Sequence, residues 1–86
     1  MTRYTVTWWQ SADDELLRLW LDSSQRSRIV DASRNIDRLL AFNANSIGEA
    51  VHEGLRALKV EPLRVQFSVE EDDRIVRVWT VQLTAP

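Results

Sequence analysis

The chain has 86 residues, with 11 basic and 13 acidic side chains and a formal net charge of −2. That length predicts one domain over residues 1–86, able to bury roughly 60% of its unfolded surface. The absence of cysteine excludes disulfides and thiolate metal sites, and the near-neutral charge argues against strong autonomous nucleic-acid binding, for which a basic excess is usual.

The opening "MTRYTVTWWQ" lacks the apolar run of a signal peptide, and no segment approaches the ~20 apolar residues of a membrane span. A cytoplasmic protein with no membrane partner is expected. "YTVTWW", Tyr4–Trp9, alternates Tyr4, Val6 and Trp8 against Thr5, Thr7 and Trp9 and predicts a strand. In "SADDELLRLWLDSS", Ser11 is the expected N-cap, and Asp13, Asp14 and Glu15 fill a first turn where negative charge suits the helix dipole. Ala12, Leu16, Leu19 and Trp20 recur at helical spacing and give a short helix one apolar face.

A second helix is expected from Ser23 or Ser24 to Phe42. Ile29, Ala32, Ile36, Leu39 and Leu40 form its buried stripe, and Arg28, Asp31, Arg34 and Arg38 fall mostly on the wet side. The short gap makes the two helices antiparallel neighbours. "NANSIG" is loop chemistry, "EAVHE" reads as a turn of helix or as more loop, and "LRALKV" reads as a strand that ends in a turn at Pro62.

The stretch "LRVQFSVEEDDRIVRVWTVQL" reads as a hairpin. Leu63, Val65, Phe67 and Val69 alternate with Arg64, Gln66, Ser68 and Glu70, so one face is apolar and the other polar. With the turn centred on Asp72-Asp73, Val69 faces Val76, Phe67 faces Val78 and Val65 faces Thr80. On the other side Ser68 faces Arg77, Gln66 faces Trp79 and Arg64 faces Val81. The apolar face is expected to meet both helices, because two helices emitted together pack on one side of a small sheet. Arg64, Gln66, Arg77 and Trp79 then lie on the bare side. Trp8, Trp9 and Trp20 are expected in the core.

The resulting fold class is α+β: a β-α-α-β-β-β order, with an antiparallel sheet and a helical hairpin packed on one face. That order, with Tyr4, Val6 and Ala12 at the start, Arg56 and Leu58 on the next strand, and Leu63, Arg64 and Val65 opening the one after, resembles the RelE/ParE superfamily. Its members are toxins of bacterial toxin–antitoxin (plasmid stabilisation) modules, and the resemblance spans nearly the whole chain. It implies a partner antitoxin protein, and a target that is either the ribosome with its messenger RNA or DNA gyrase. It also implies a homodimer or a toxin–antitoxin hetero-oligomer, with no cofactor and no metal. Members that cut messenger RNA use basic residues on these strands, and by that likeness Arg64 is the phosphate contact, helped by Arg56 and Arg77. Lys59, Gln66 and Trp79 are the further substrate or partner contacts.

Cleavage by 2′-hydroxyl attack needs a group to take a proton and another to stabilise the phosphorane's charge. Arginine serves the second need and not the first. The sequence offers no obvious proton acceptor: the only tyrosine is Tyr4, the only histidine is His52 in or near a loop, and "QLTAP" lacks the basic, aromatic tail of the RNA cutters. A messenger-RNA endonuclease with an incomplete catalytic set and a non-enzymatic gyrase-type poison or inactive scaffold are therefore the two readings. The helix charges, and an Arg, Gln and Ser strand face, are also what an ordinary solvated surface carries. Trp79 fits a protein contact better than a stacked base.

Overall fold

A computed structural model describes residues 3–84. Strand β1 (Thr5–Trp8) leads into helix α1 (Gln10–Asp22) and helix α2 (Arg26–Asn43). Four strands follow: β2 (Glu49–His52), β3 (Leu55–Val60), β4 (Leu63–Glu70) and β5 (Ile75–Leu83). Ala85 and Pro86 of the "QLTAP" segment lie outside the described residues.

The strands form one sheet in the order β1-β5-β4-β3-β2. The neighbours from β2 to β5 are antiparallel, while β1 runs parallel to β5, so the sheet is mixed. Parallel strands need a crossover, and here the crossover is most of the chain. Because β1 and β2 occupy opposite edges, the helical hairpin between them must traverse the sheet. It does so over one face and leaves the other uncovered.

The covered face holds the core. Ile29, Ala32, Ile36 and Leu40 of α2 and Ala12 of α1 join Leu63, Val65, Phe67, Val76, Val78 and Val81 of the two central strands in a single buried cluster. Leu39, expected in the same stripe, is only half-buried at its margin. The buried side chains among the described residues are apolar apart from the hydroxyl of Tyr4. That hydroxyl donates to Glu71 Oε1 at 2.8 Å and accepts from Asn45 Nδ2, while the Tyr4 backbone N–H donates to Ala41 at 2.7 Å. One residue thus ties the start of β1 to the end of α2 and to the β4–β5 turn.

Several expectations change at the joints. Ser11 is not the N-cap of α1. The strand runs straight into the helix through Trp9, whose carbonyl accepts from the N–H groups of Ala12 and Asp13, with no side-chain cap. The second helix starts at Arg26 rather than Ser23 or Ser24, because Arg26 folds back to donate to the carbonyls of Trp20 and Leu21 that end α1. Trp8 and Trp20 are partly buried against the core, and the Trp8 indole N–H donates to Asp37 at 2.7 Å. Trp9, also expected inside, is 51% exposed.

"EAVHE" is neither helix nor loop: its first four residues are the edge strand β2. The hairpin register holds near the turn, with Ser68 opposite Arg77, Val69 opposite Val76 and Phe67 opposite Val78. It then slips. Trp79 is an extra residue in β5, so Gln66 faces Thr80, Val65 faces Val81 and Arg64 faces Gln82, in place of the Trp79, Thr80 and Val81 of the simple hairpin. A bulge of this kind lets β5 resume its alternation with Val81, not Thr80, in the core.

Candidate functional site

Strand alternation decides which side chains the bare face displays. On β4 these are Arg64, Gln66, Ser68 and Glu70, because Leu63, Val65 and Phe67 are fully buried on the helix side. Residue pairing carries the same face outward. Lys59 and Ala57 on β3 sit opposite Arg64 and Gln66, and Glu49 on β2 sits opposite Ala57. On the other flank lie Arg77 and Thr7.

A shallow cavity of about 370 Å³ opens on this face, lined by Gly48, Glu49, Ala57, Leu58, Lys59 and Arg64. Its floor is low because position 57 carries only a methyl group. Basic groups stand on one side of that floor and a carboxylate on the other. The chemistry such a floor can offer an anion is two neighbouring cationic side chains, Arg64 and Lys59, whose hydrogen bonds would be charge-assisted.

The arginines differ in how free they are. Among the described residues Arg64 has no ion-pair partner. Arg77 pairs with Glu70 beside it, so its charge is offset on the face itself. Arg56 stands opposite Phe67, which places it on the helix side of the sheet, away from Arg64. Its guanidinium donates to the carbonyl of Ile47 at 3.0 and 2.8 Å and to that of Gly48 at 3.1 Å. The structure therefore brings Arg64, Lys59 and Gln66 together, keeps Arg77 nearby but paired, and separates Arg56 from them.

Lys59 also reaches Glu61, at 3.1 Å. The Glu61 carboxyl is held below the usual carboxylate range, first by the Thr84 hydroxyl that donates to it and then by Lys59. Both partners of the Lys59–Glu61 pair are more than half exposed, so the pair is weak and exchangeable. Trp79 donates its indole N–H to Ser68 Oγ at 2.8 Å and packs against Trp9, with ring centroids 5.0 Å apart at 41°. The exposed Trp9 and half-buried Trp79 make an aromatic shelf at the β1–α1 joint.

His52 closes β2 on an exposed position. No three His, Asp or Glu side chains converge in a way that would hold a metal ion among the described residues. No helix among them is long and apolar enough to cross a membrane. Sequence reasoning did not place Glu49 on this face, where it lines the cavity with Lys59 and Arg64. The sequence carried no readable signal for it, because "EAVH" is a short edge strand with a bulge between Ala50 and His52 and so shows no alternation.

No protein-family model matches the sequence, and no curated protein matches it significantly. Solved structures do match. A chain of the toxin–antitoxin complex RelBE2 from Mycobacterium tuberculosis superposes with a TM-score of 0.83 at 16% identity, over 100% of this chain and 97% of that one. A chain of the chromosomal ParDE toxin–antitoxin system from P. aeruginosa gives a TM-score of 0.71 at 16% identity, over 96% of this chain and 98% of that one. The isolated E. coli RelE toxin gives 0.65 at 14% identity, over 96% and 86%. At such identities the likeness is one of fold.

Proposed function

We propose that this chain, whose fold is that of the RelE/ParE superfamily, is the toxin component of a toxin–antitoxin module, and that its bare sheet face takes the phosphate backbone of messenger RNA on the ribosome. The observation that carries the reading is the unpaired Arg64 standing beside Lys59 over the low floor of Ala57. Arg64 binds the phosphate and stabilises charge as it builds on the phosphoryl oxygens, and Lys59 adds a second cation. Gln66 lies in the next row of the same face. The near-neutral net charge suits a protein that the ribosome positions, since such a chain gains little from non-specific attraction to RNA. The aromatic shelf of Trp9 and Trp79 suits an antitoxin, because exposed tryptophans are common anchors at protein interfaces.

Inducible expression in a bacterial host tests the reading. Growth arrest with cleaved messages, relieved by Arg64→Ala, is the expected result. Growth arrest with intact messages and a DNA-damage response would replace it with a gyrase poison. That second reading draws on the pairing of Arg77 with Glu70 and the engagement of Arg56 by backbone carbonyls, which leave few free cations for RNA. No arrest would leave a non-enzymatic binding scaffold.

A further inference from the structure

We propose that Glu49 is the proton acceptor of the Ala57 depression, the group that RNA cleavage requires and that the arginines cannot supply. The inference rests on the endonuclease reading above and adds to it a residue that neither the composition nor the order of elements pointed to.

Three observations place Glu49 in the site. Its pairing with Ala57 puts it on the same face as Lys59, Gln66 and Arg64. It lines the same cavity as Lys59 and Arg64, and it is the only acid among the residues that do. Among the described residues it has no ion-pair partner, so its oxygens are available to a ligand.

Its position is also enforced. Gly48, immediately before it, has φ +81°, and a Cβ added there would stand 2.6 Å from the carbonyl oxygen of Ala57. Only glycine allows β2 to approach β3 so closely. From behind, Arg56 grips the carbonyls of Ile47 and Gly48. An arginine expected to touch phosphate thus anchors the backbone that presents the carboxylate on the opposite face.

The chemistry closes with these groups. A ribose 2′-hydroxyl gives its proton to the Glu49 carboxylate as its oxygen bonds to the adjacent phosphorus. The charge that grows on the non-bridging oxygens faces Arg64 and Lys59. The bond from phosphorus to the 5′-oxygen breaks, and the departing alkoxide takes a proton from water. The products are a 2′,3′-cyclic phosphate and a 5′-hydroxyl, and the carboxyl returns its proton to solvent. A carboxylate is an adequate base for this step when it is held within reach of the hydroxyl.

An acidic residue on an edge strand has a duller role, which is to discourage pairing with another chain. It would also repel RNA. The two roles predict opposite behaviour of Glu49→Gln. The assay combines the full-length protein with ribosomes stalled on a defined message. It measures cleavage across pH, the terminal groups of the product, and the affinity for the same complex carrying a 2′-deoxy nucleotide at the scissile position. As the base, Glu49→Gln slows cleavage by ~100-fold or more, general-base removal being worth about that much, and leaves affinity for the 2′-deoxy complex within ~3-fold. Glu49→His restores part of the rate and moves the acidic limb of the pH–rate profile upward, toward the histidine range. Cleavage by Glu49→Gln at the native rate, or faster with tighter binding, would overturn the assignment while leaving the endonuclease reading in place. Failure of the native protein itself to cut the message would remove both.

Discussion

Two glycines separate backbone conformation from crowding. Gly48 and Gly54 share a φ of +81°, which L side chains adopt only at a cost of ~1–2 kcal/mol. At Gly54 an added Cβ meets nothing within 4 Å, so Gly54→Ala carries that conformational cost alone. At Gly48 the same atom stands 2.6 Å from the Ala57 carbonyl oxygen and 3.3 Å from the Phe67 ring. Neither neighbour gives easily, because Ala57 belongs to the β2–β3 ladder and Phe67 is fully buried. Moving packed backbone adds a further ~1–3 kcal/mol, the usual cost of overpacking. Gly48→Ala is therefore expected to destabilise by ~2–5 kcal/mol and Gly54→Ala by ~1–2 kcal/mol, measured from urea midpoints at constant slope. Equal losses for the two variants, or a larger loss for Gly54→Ala, would refute the close approach of β2 to β3 and with it the placement of Glu49.

Phe67→Ala removes the largest fully buried side chain and should cost ~3–5 kcal/mol in the same urea titration. The Tyr4 pKa is raised above its usual value, first by the hydrogen bond to Glu71 and then by burial, so the fold favours the protonated phenol. Its contribution is complete below the unfolded pKa near ~10 and is lost as pH rises toward the folded one. Native thermal stability should accordingly fall above that range, with a shallower fall in Tyr4→Phe, as calorimetry at stepped pH would show. Glu61 behaves in the opposite sense: its lowered pKa gives stability present above the unfolded carboxylate value and lost as pH falls through the folded one. Glu61→Gln should flatten that acid dependence and, by releasing Lys59, tighten binding of a short RNA at low salt.

The helices were legible because burial on one side of a helix leaves a period in the sequence, and Ile29, Ala32, Ile36 and Leu40 all lie in the core at that spacing. The apolar alternation of β4 was equally clear, since Leu63, Val65 and Phe67 face one packed layer. Strand β2 was not, because an edge strand with one side in solvent and a bulge between Ala50 and His52 shows no alternation to read. Trp9 was misplaced for a related reason: a strand that turns into a helix at that residue abandons the strand's sidedness. The extra residue at Trp79 reflects how β5 must bend to meet β4, which no local pattern encodes. For the candidate site, alternation alone put Arg64 on the bare face, while its part as a phosphate contact came from the resemblance and not from the pattern. Arg56 carried the right charge at a family-like position, but the register of β3 against β4 turned it toward the helices, where free carbonyls awaited it.

The parallel pairing of β1 with β5 joins the first and the last of the described strands. During synthesis, β1 and both helices leave the ribosome well before their sheet partner exists, with the apolar faces of α1 and α2 lacking the surface they will cover. Closure of so long a loop makes this topology dependent on late, non-local contacts. A nascent chain held short of β5 thus has neither a finished core nor a seat for its amino-terminal strand, and the competent molecule arises only when the final ribbon has cleared the exit tunnel.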